Sequence, residues 1–423
     1  MLGIKFLRDI FGEAVALDLG TVNTLAAIRG RGIVLREPSA VAVSTGSERE
    51  ILELGDRAMQ MLGRTPGQIT VSYPMRDGVI ADMALAEAMI RFTITEALGR
   101  KAGPVGIRLG LCLPLCVNDI ERRALMEAAK NAGARDMIVL NEALAAAIGA
   151  GLPVSEPVGN MVVDIGGGTT DSAVVVLGGI ACHKSVRTGG THIDKAIVEY
   201  IAREYKLSIG ERTAEQIKLT LGSALMGGDE HMEVRGRSMD TGLPKSIVVG
   251  QGEISYAIIK PVRRIVGAIK DTLAETPPEL AGDIYTNGIT LTGGGAMLDG
   301  LAEYVSRETQ MEVRVADEAE NCVVLGAQNA LDIKDIDLDQ AISQAEHYRA
   351  SGNFAYNPPL FQSREDYDAF LERHSQCSVE RGDFDAYQGK VYLGMDAGST
   401  TVKTVVMGEN GELLYSQYQP NSG

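Results

Sequence analysis

The chain has 423 residues, 45% of them hydrophobic, which allows two or three domains with a sizeable core. Its formal net charge of −16, its 5% aromatic content and its lack of Trp argue against nucleic acid as the main partner, because phosphate contacts need a basic face and single strands need stacking platforms. Cys112, Cys116, Cys182, Cys322 and Cys377 fit no zinc or iron–sulfur spacing and read as reduced cytosolic thiols, and no apolar run approaches the ~18 residues of a membrane span.

In chain order, residues 1–13 place Leu2, Phe6 and Ile10 on one helical row, with Ile4, Leu7 and Phe11 beside it. Lys5, Arg8 and Asp9 fall opposite, so a short amphipathic helix is predicted. Such a helix either packs on the protein body or lies in a membrane surface. It lacks the continuous apolar core and cleavage site of a signal peptide. Val15-Ala16-Leu17-Asp18 reads as an apolar strand ending in a carboxylate. Gly20, Thr21, Val22, Asn23 and Thr24 follow as a hydroxyl-rich turn, and Leu25 to Ile28 as the returning strand. Residues 33–80 read as short strands and turns, and Ala81 to Leu98 as a helix. Ile107 to Leu113 is a predicted strand ended by Pro114. Asn118 and Asp119 are candidate N-caps for a helix from Ile120 to Ala132, closed by Gly133. Ile138-Val139-Leu140 leads through Asn141 and Glu142 into an alanine-rich helix able to pack close to a neighbour. Glu142 there is either a surface carboxylate favoured by the helix dipole or a functional one.

Met161-Val162-Val163 is a buried-strand pattern reaching Asp164, and Val174 to Leu177 is its return. Between them stand Gly166, Gly167, Gly168, Thr169 and Thr170. Glycines let backbone N–H groups approach an anion closely, and a strand-terminal Asp can hold the waters of a Mg²⁺ ion that binds phosphate. One such hairpin is also a plain turn. Two in one chain, at Asp18 and Asp164, suggest a duplicated fold gripping a phosphate chain from both sides. Thr188 to Asp194 reads as a glycine loop before a helix from Lys195 to Tyr205, with His192 a polar residue of its first turn rather than a metal ligand. Thr213 is a candidate cap for the next helix, where Glu215 and Lys218 share a face. Pro261 to Leu273 reads as a helix broken by Thr276-Pro277-Pro278. Ile289 to Thr292 is a strand leading to Gly293, Gly294, Gly295 and Ala296, a turn suited to a base or ribose and expected to open a helix holding Met297 to Glu303. A last helix follows Val323, and this body ends near Ile333. Alternating strands and helices imply an α/β fold. The glycine turns form neither a Walker A loop nor a Rossmann fingerprint.

This order of loops resembles the actin, heat-shock-chaperone and sugar-kinase ATPase superfamily. Within it, the chain is most similar to the MreB family of bacterial actins. The resemblance is carried by Asp18 to Thr24, Glu121 to Ala124, Ala143 to Pro153, Asp164 to Thr170, Ile209 to Glu215 and Val234 to Arg237, across residues 1–333. It implies two duplicated lobes around a nucleotide cleft, at 14–148 and 149–334, preceded by a membrane-binding segment at 1–13. It implies ATP and Mg²⁺ as cofactors. Asp18 and Asp164 hold the metal through water, and Gly20, Thr21, Asn23, Thr24, Gly166, Gly167, Gly168 and Thr169 bind phosphate. Glu142, helped by Thr169 and Asp164, orients the attacking water, while Glu215, Lys218, Gly293, Gly294, Gly295 and Ala296 bind ribose and base. Ala143 stands where the family usually has Pro, and Asn141 where it usually has a second Glu. The family forms filaments on the inner face of the cell membrane and works with cell-wall synthesis and cell-shape proteins. A slow Mg-dependent ATPase coupled to polymerisation is therefore expected. A non-polymerising chaperone-like ATPase or a dehydratase activator is the alternative.

After Lys334 the character changes. Residues 335–388 are acidic and polar and read as a linker with one or two helices. Lys390 to Lys403 then repeats the first phosphate hairpin and is similar to the opening of the activator ATPases of 2-hydroxyacyl-CoA dehydratases. Residues 389–423 lack that family's later loops and cluster cysteines, so an incomplete second ATPase domain is expected, from a fusion or from the joining of two sequences. Its apolar strands are expected to lack a covering core.

Overall fold

The structure, a computed structural model, describes residues 13–45, 49–100, 106–332, 363–375, 379–397 and 401–420. The expected helix with Leu2, Ile4, Phe6, Leu7, Ile10 and Phe11 lies outside these residues, as does the stretch 333–362.

The first lobe begins with a meander of β1 (Ala14–Leu19), β2 (Asn23–Ile28) and β3 (Gly32–Pro38). β4 (Val41–Ser44), β5 (Ile51–Leu54) and β6 (Ile69–Ser72) form a small second sheet with α1 (Gly55–Met61) against it, a helix inside the stretch expected to hold only strands and turns. β7 (Met75–Arg76) and β8 (Val79–Ile80) make a tight hairpin. α2 (Met83–Leu98) starts where the Asp82 carboxylate accepts the Leu85 N–H and stops at Gly99 in the left-handed region. β9 (Ile107–Leu113) follows. α3 (Asp119–Asn131) has a full capping box: the Asn118 side chain accepts from Ile120 and Glu121, and the Glu121 carboxylate accepts from the Asn118 N–H. β10 (Ala134–Asn141) is longer than its apolar triplet suggested and hands over directly to α4 (Glu142–Gly149).

The second lobe repeats the plan. β11 (Asn160–Ile165), β12 (Thr170–Val176) and β13 (Gly179–Val186) form its meander, and α5 (Gly190–Tyr205) starts inside the glycine loop rather than after it. β14 (Leu207–Ser208), α6 (Glu211–Leu221), β15 (His231–Ser238) and β16 (Pro244–Gly250) come next. The N-cap of α6 is Gly210, so Thr213 lies in its first turn and is not the cap. α7 (Gln251–Glu275) runs through Pro261 instead of starting there. Ile254, Ile258, Val262, Ile265 and Ile269 make one fully buried stripe. At about 1.5–3 kcal/mol each, that burial outweighs the ~3 kcal/mol that an internal Pro costs. α8 (Pro278–Asn287), β17 (Ile289–Thr292) and a short 3₁₀ turn at Gly294–Met297 follow. The expected helix over Met297 to Glu303 is instead this turn and, after Gly300, α9 (Leu301–Thr309). Gly300 in the left-handed region separates the two. β18 (Val313–Val315) and α10 (Cys322–Asp332) complete the lobe's chain segment.

The strand orders of the two large sheets coincide. One reads β3-β2-β1-β9-β10 and the other β13-β12-β11-β17-β18, each an antiparallel meander extended by two parallel strands. Each sheet has its own apolar core on one face. A third core joins their other faces through α4 and α10. These helices touch at backbone distance: a Cβ on Gly326 would stand 1.8 Å from the Ala145 carbonyl oxygen, and one on Gly149 would stand 1.9 Å from that of Cys322. The small residues of 143–150 serve this contact.

Residues 341–423 are a separate compact unit. Its described part holds α11 (Arg364–Ser375) and a meander of β19 (Val391–Ala397), β20 (Thr401–Gly408) and β21 (Leu413–Pro420). Tyr392, Leu393 and Met395 on β19 are all more than 60% exposed, so this hairpin is uncovered where β1 and β2 are buried.

Candidate functional site

One cavity of about 1410 Å³ lies between the lobes. Asp18, at the end of β1, and Asp164, at the end of β11, both line it. Gly20, Thr21, Asn23, Glu142, Gly166, Gly167, Thr169, Glu215, Lys218, Gly293, Gly294 and Gly295 line it as well. Thr24, Gly168 and Ala296 do not. Thr24 is fully buried behind the first turn. The Ser39 hydroxyl donates to the Gly20 carbonyl and so accepts from the Thr24 hydroxyl, both at 2.7 Å, which braces the turn from below. Ala296 turns its methyl into the core of the second lobe. Gly168 is taken up by contact with the first lobe, where a Cβ would come 2.7 Å from the Thr21 hydroxyl.

The second hairpin is oriented from behind by α5. The Gly190 N–H donates to the Gly166 carbonyl at 3.0 Å, and the Thr191 N–H and hydroxyl donate to the Gly167 carbonyl at 2.8 and 3.0 Å. A trans peptide points its C=O and N–H to opposite sides, so the N–H groups of Gly167 and Gly168 face away from α5. No backbone carbonyl among the described residues accepts them. The two hairpins meet directly, since a Cβ on Gly167 would lie 2.3 Å from a Val22 methyl.

Four carboxyls converge here. Burial, then the charge of Asp164, pushes Asp18 up to about 7. Burial also pushes Asp164 up to about 7, against the pull of the Thr292 hydroxyl, which donates to it at 2.8 Å. Glu142, the first residue of α4, is held well above its usual range by burial and then by Asp18, Asp171 and Asp164. Asp171, which the sequence reading passed over, is the cross-strand partner of Asp164 and is pushed up to about 6, mainly by burial. Among the described residues no three of these groups are placed to ligate a metal ion directly, but like charges crowded in low dielectric favour a cation that they reach through water.

On the other side, Lys218 does not pair with Glu215. Its Nζ lies 3.0 Å from the Asp194 carboxylate on α5, and the pair is mostly buried. Burial pushes Asp194 up to about 6 in spite of the lysine. Three further residues reach across the cavity without having been singled out. Arg36 on β3 pairs with Glu320 at 2.8 Å and with the Asn321 side chain at 2.5 Å, just before α10. Tyr73 faces Glu211 and Glu215, and burial and those charges push its hydroxyl up to about 12. Asp77 faces His192 at 3.7 Å. Such contacts join segments far apart in sequence, and no local pattern marks them.

A duplicated α/β fold with two Asp-ended hairpins closing on one cavity defines an actin-like protein. The family described as MreB/Mbl protein matches residues 12–338. The cell shape-determining protein MreB of Escherichia coli strain K12 is 44% identical over 337 residues, which cover 79% of this chain and 97% of that protein. The crystal structure of MreB5 of Spiroplasma citri bound to ADP superposes with a TM-score of 0.71 at 35% identity, covering 80% of this chain and 99% of that one; its AMPPNP-bound form gives the same score. The MamK double helical filament, at 20% identity over 76% of this chain and 99% of its own, shares the fold with a TM-score of 0.63. The chain belongs to the cell shape-determining MreB/Mbl family.

Proposed function

We propose that this chain binds Mg-ATP between its lobes, hydrolyses it slowly and assembles into filaments on the inner face of the cell membrane. The observation that carries the reading is the convergence of Asp18 and Asp164, from equivalent strands of two like sheets, on one cavity. The ADP- and AMPPNP-bound forms of MreB5 support the nucleotide, and the double helical filament of MamK supports self-association. The membrane part rests on the pattern of residues 1–13, and the link to cell-wall synthesis proteins rests on the family.

The crowded carboxyls fit Mg²⁺, which Asp18 and Asp164 would hold through its waters. When bound, Mg²⁺ neutralises phosphate charge and that of the two aspartates. The chain's own residues do the positioning. The N–H group of Gly167 and the hydroxyls of Thr21 and Thr169, which line the cavity, donate to phosphate oxygens. Glu142 orients a water in line with the terminal phosphate, with Thr169 beside it. Positioning and charge stabilisation are what phosphoryl transfer needs.

Calorimetric titration of Asp164→Ala with Mg-ATP tests the reading. A loss of at least tenfold in affinity is expected, and unchanged affinity overturns it. Pelleting of the full chain with Mg-ATP over anionic vesicles tests the filament and membrane parts, which fail if the chain stays in the supernatant.

A further inference from the structure

The β7–β8 hairpin belongs to the first lobe, yet its tip rests on the phosphate hairpin of the second. Asp77 sits at φ 51°, in the left-handed region that a non-glycine residue keeps only when its surroundings hold it there. Those surroundings are visible. A Cβ on Gly168 would come 2.9 Å from the Asp77 Cα, and one on Gly78 would come 2.5 Å from the Thr169 methyl and 3.2 Å from the Cys116 Sγ. The tip is therefore wedged against the two residues that close the phosphate hairpin. With its methyl on Gly78, Thr169 has its hydroxyl turned off that wall.

The third side of the wedge is α5. The His192 Nδ1 accepts the Gly189 N–H at 3.3 Å, so in the neutral ring the proton sits on Nε2, and Nε2 is the atom facing the Asp77 carboxylate at 3.7 Å. Both side chains are partly buried, at 21% and 28% exposed. The same helix end holds the Gly166 and Gly167 carbonyls. The phosphate hairpin is thus pinned between α5 of its own lobe and a tip of the opposite lobe, and Asp77 joins the two pins.

We propose that the Asp77–Gly78 tip is a positioning element for hydrolysis: it seats Gly168 and Thr169, and the Asp77–His192 contact makes that seating depend on lobe closure. Asp77 acts through Thr169 and touches no reacting atom. The proposal rests on the ATPase reading above and deepens it by making hydrolysis, rather than nucleotide capture, the step that the tip serves.

The test is steady-state hydrolysis by the full chain with Mg-ATP, comparing wild type, Asp77→Ala, Asp77→Asn and Gly78→Ala. Asp77→Ala is expected to lower kcat roughly tenfold or more while KM stays within about twofold. Asp77→Asn, which tolerates the left-handed conformation and still offers an oxygen to Nε2, is expected to recover most of the rate. Gly78→Ala is expected to lower kcat and to add nothing on top of Thr169→Ala, as residues acting as a unit do. Should Asp77→Ala fold poorly, Asp77→Asn and the Gly78→Ala double mutant carry the test alone. Wild-type hydrolysis with kcat unchanged in Asp77→Ala and Gly78→Ala overturns the tip's role and leaves the ATPase reading standing. KM rising in step with a falling kcat also overturns it, since that marks general loosening of the cleft. Wild type that binds no Mg-ATP overturns both.

Discussion

Asp18 and Asp164 occupy the same place in two copies of one strand order, and the charge of Asp164 bears on Asp18 within a single cavity. Each side chain stands at a strand end opposite a like group, Asp164 buried and Asp18 partly so. Folding holds this arrangement against a real electrostatic cost, so the cost shows in solution behaviour.

The first consequence is a pH dependence. Asp18 and Asp164 stand near 7 in the folded chain against an ordinary 3.8. A carboxyl raised by folding stabilises the fold fully below its unfolded value, and that stability is lost as the pH rises to and through about 7. In EDTA without nucleotide, the melting temperature is expected to fall by several degrees between pH 6 and pH 8. Mg-ATP is expected to narrow the difference. Differential scanning fluorimetry reads both, and a melting temperature that rises over this range contradicts the assignment.

Glu142→Gln keeps the shape of the side chain and removes its charge. Hydrolysis is expected to drop about 10²–10³-fold, with Mg-ATP affinity within about threefold of wild type. Phosphate release and calorimetry measure the two separately. Equal losses in both would assign Glu142 to binding instead.

Gly326 is required by the approach of α10 to α4. An added methyl meets the Ala145 carbonyl at 1.8 Å, backbone against backbone, which no rotamer change relieves. Gly326→Ala is expected to cost about 1–3 kcal/mol or more by denaturant unfolding. A neutral result would mean that the helices sit further apart than described.

The Arg36 bridge to Glu320 and Asn321 spans the cleft but is more than a third exposed. Screening holds its stability contribution to about 1 kcal/mol or less. Arg36→Ala is therefore expected to leave the melting temperature nearly unchanged while speeding release of a fluorescent ATP analogue in stopped flow. An unchanged off-rate with a large fall in melting temperature would assign it a structural role.

Some of this was legible without coordinates. Asp18, Asp164 and the glycine turns are read from residues within ten positions of one another, because a strand, its end and its return are local events. The alanine run at 143–147 likewise announced a close helix contact. Boundaries set by non-local packing were not legible. Pro261 looked like a helix start until five buried side chains were seen to carry the helix through it. Thr213 looked like a cap, but the turn closes at Gly210. Glu215 and Lys218 share a face of one helix, yet Lys218 pairs with Asp194, 24 positions away in sequence.

The sequence by itself determined the repeated hairpins, the acidic strand ends and the family, because each is written in short runs whose chemistry depends on neighbours along the chain. Only the tertiary structure decided that the strand ends share a cavity, that Asp171 lies across the strand pair from Asp164, and that Asp77, Tyr73 and Arg36 reach across the cavity. Those relations depend on how two sheets are pressed together through α4 and α10, and that packing is a property of surfaces contributed by residues up to hundreds of positions apart.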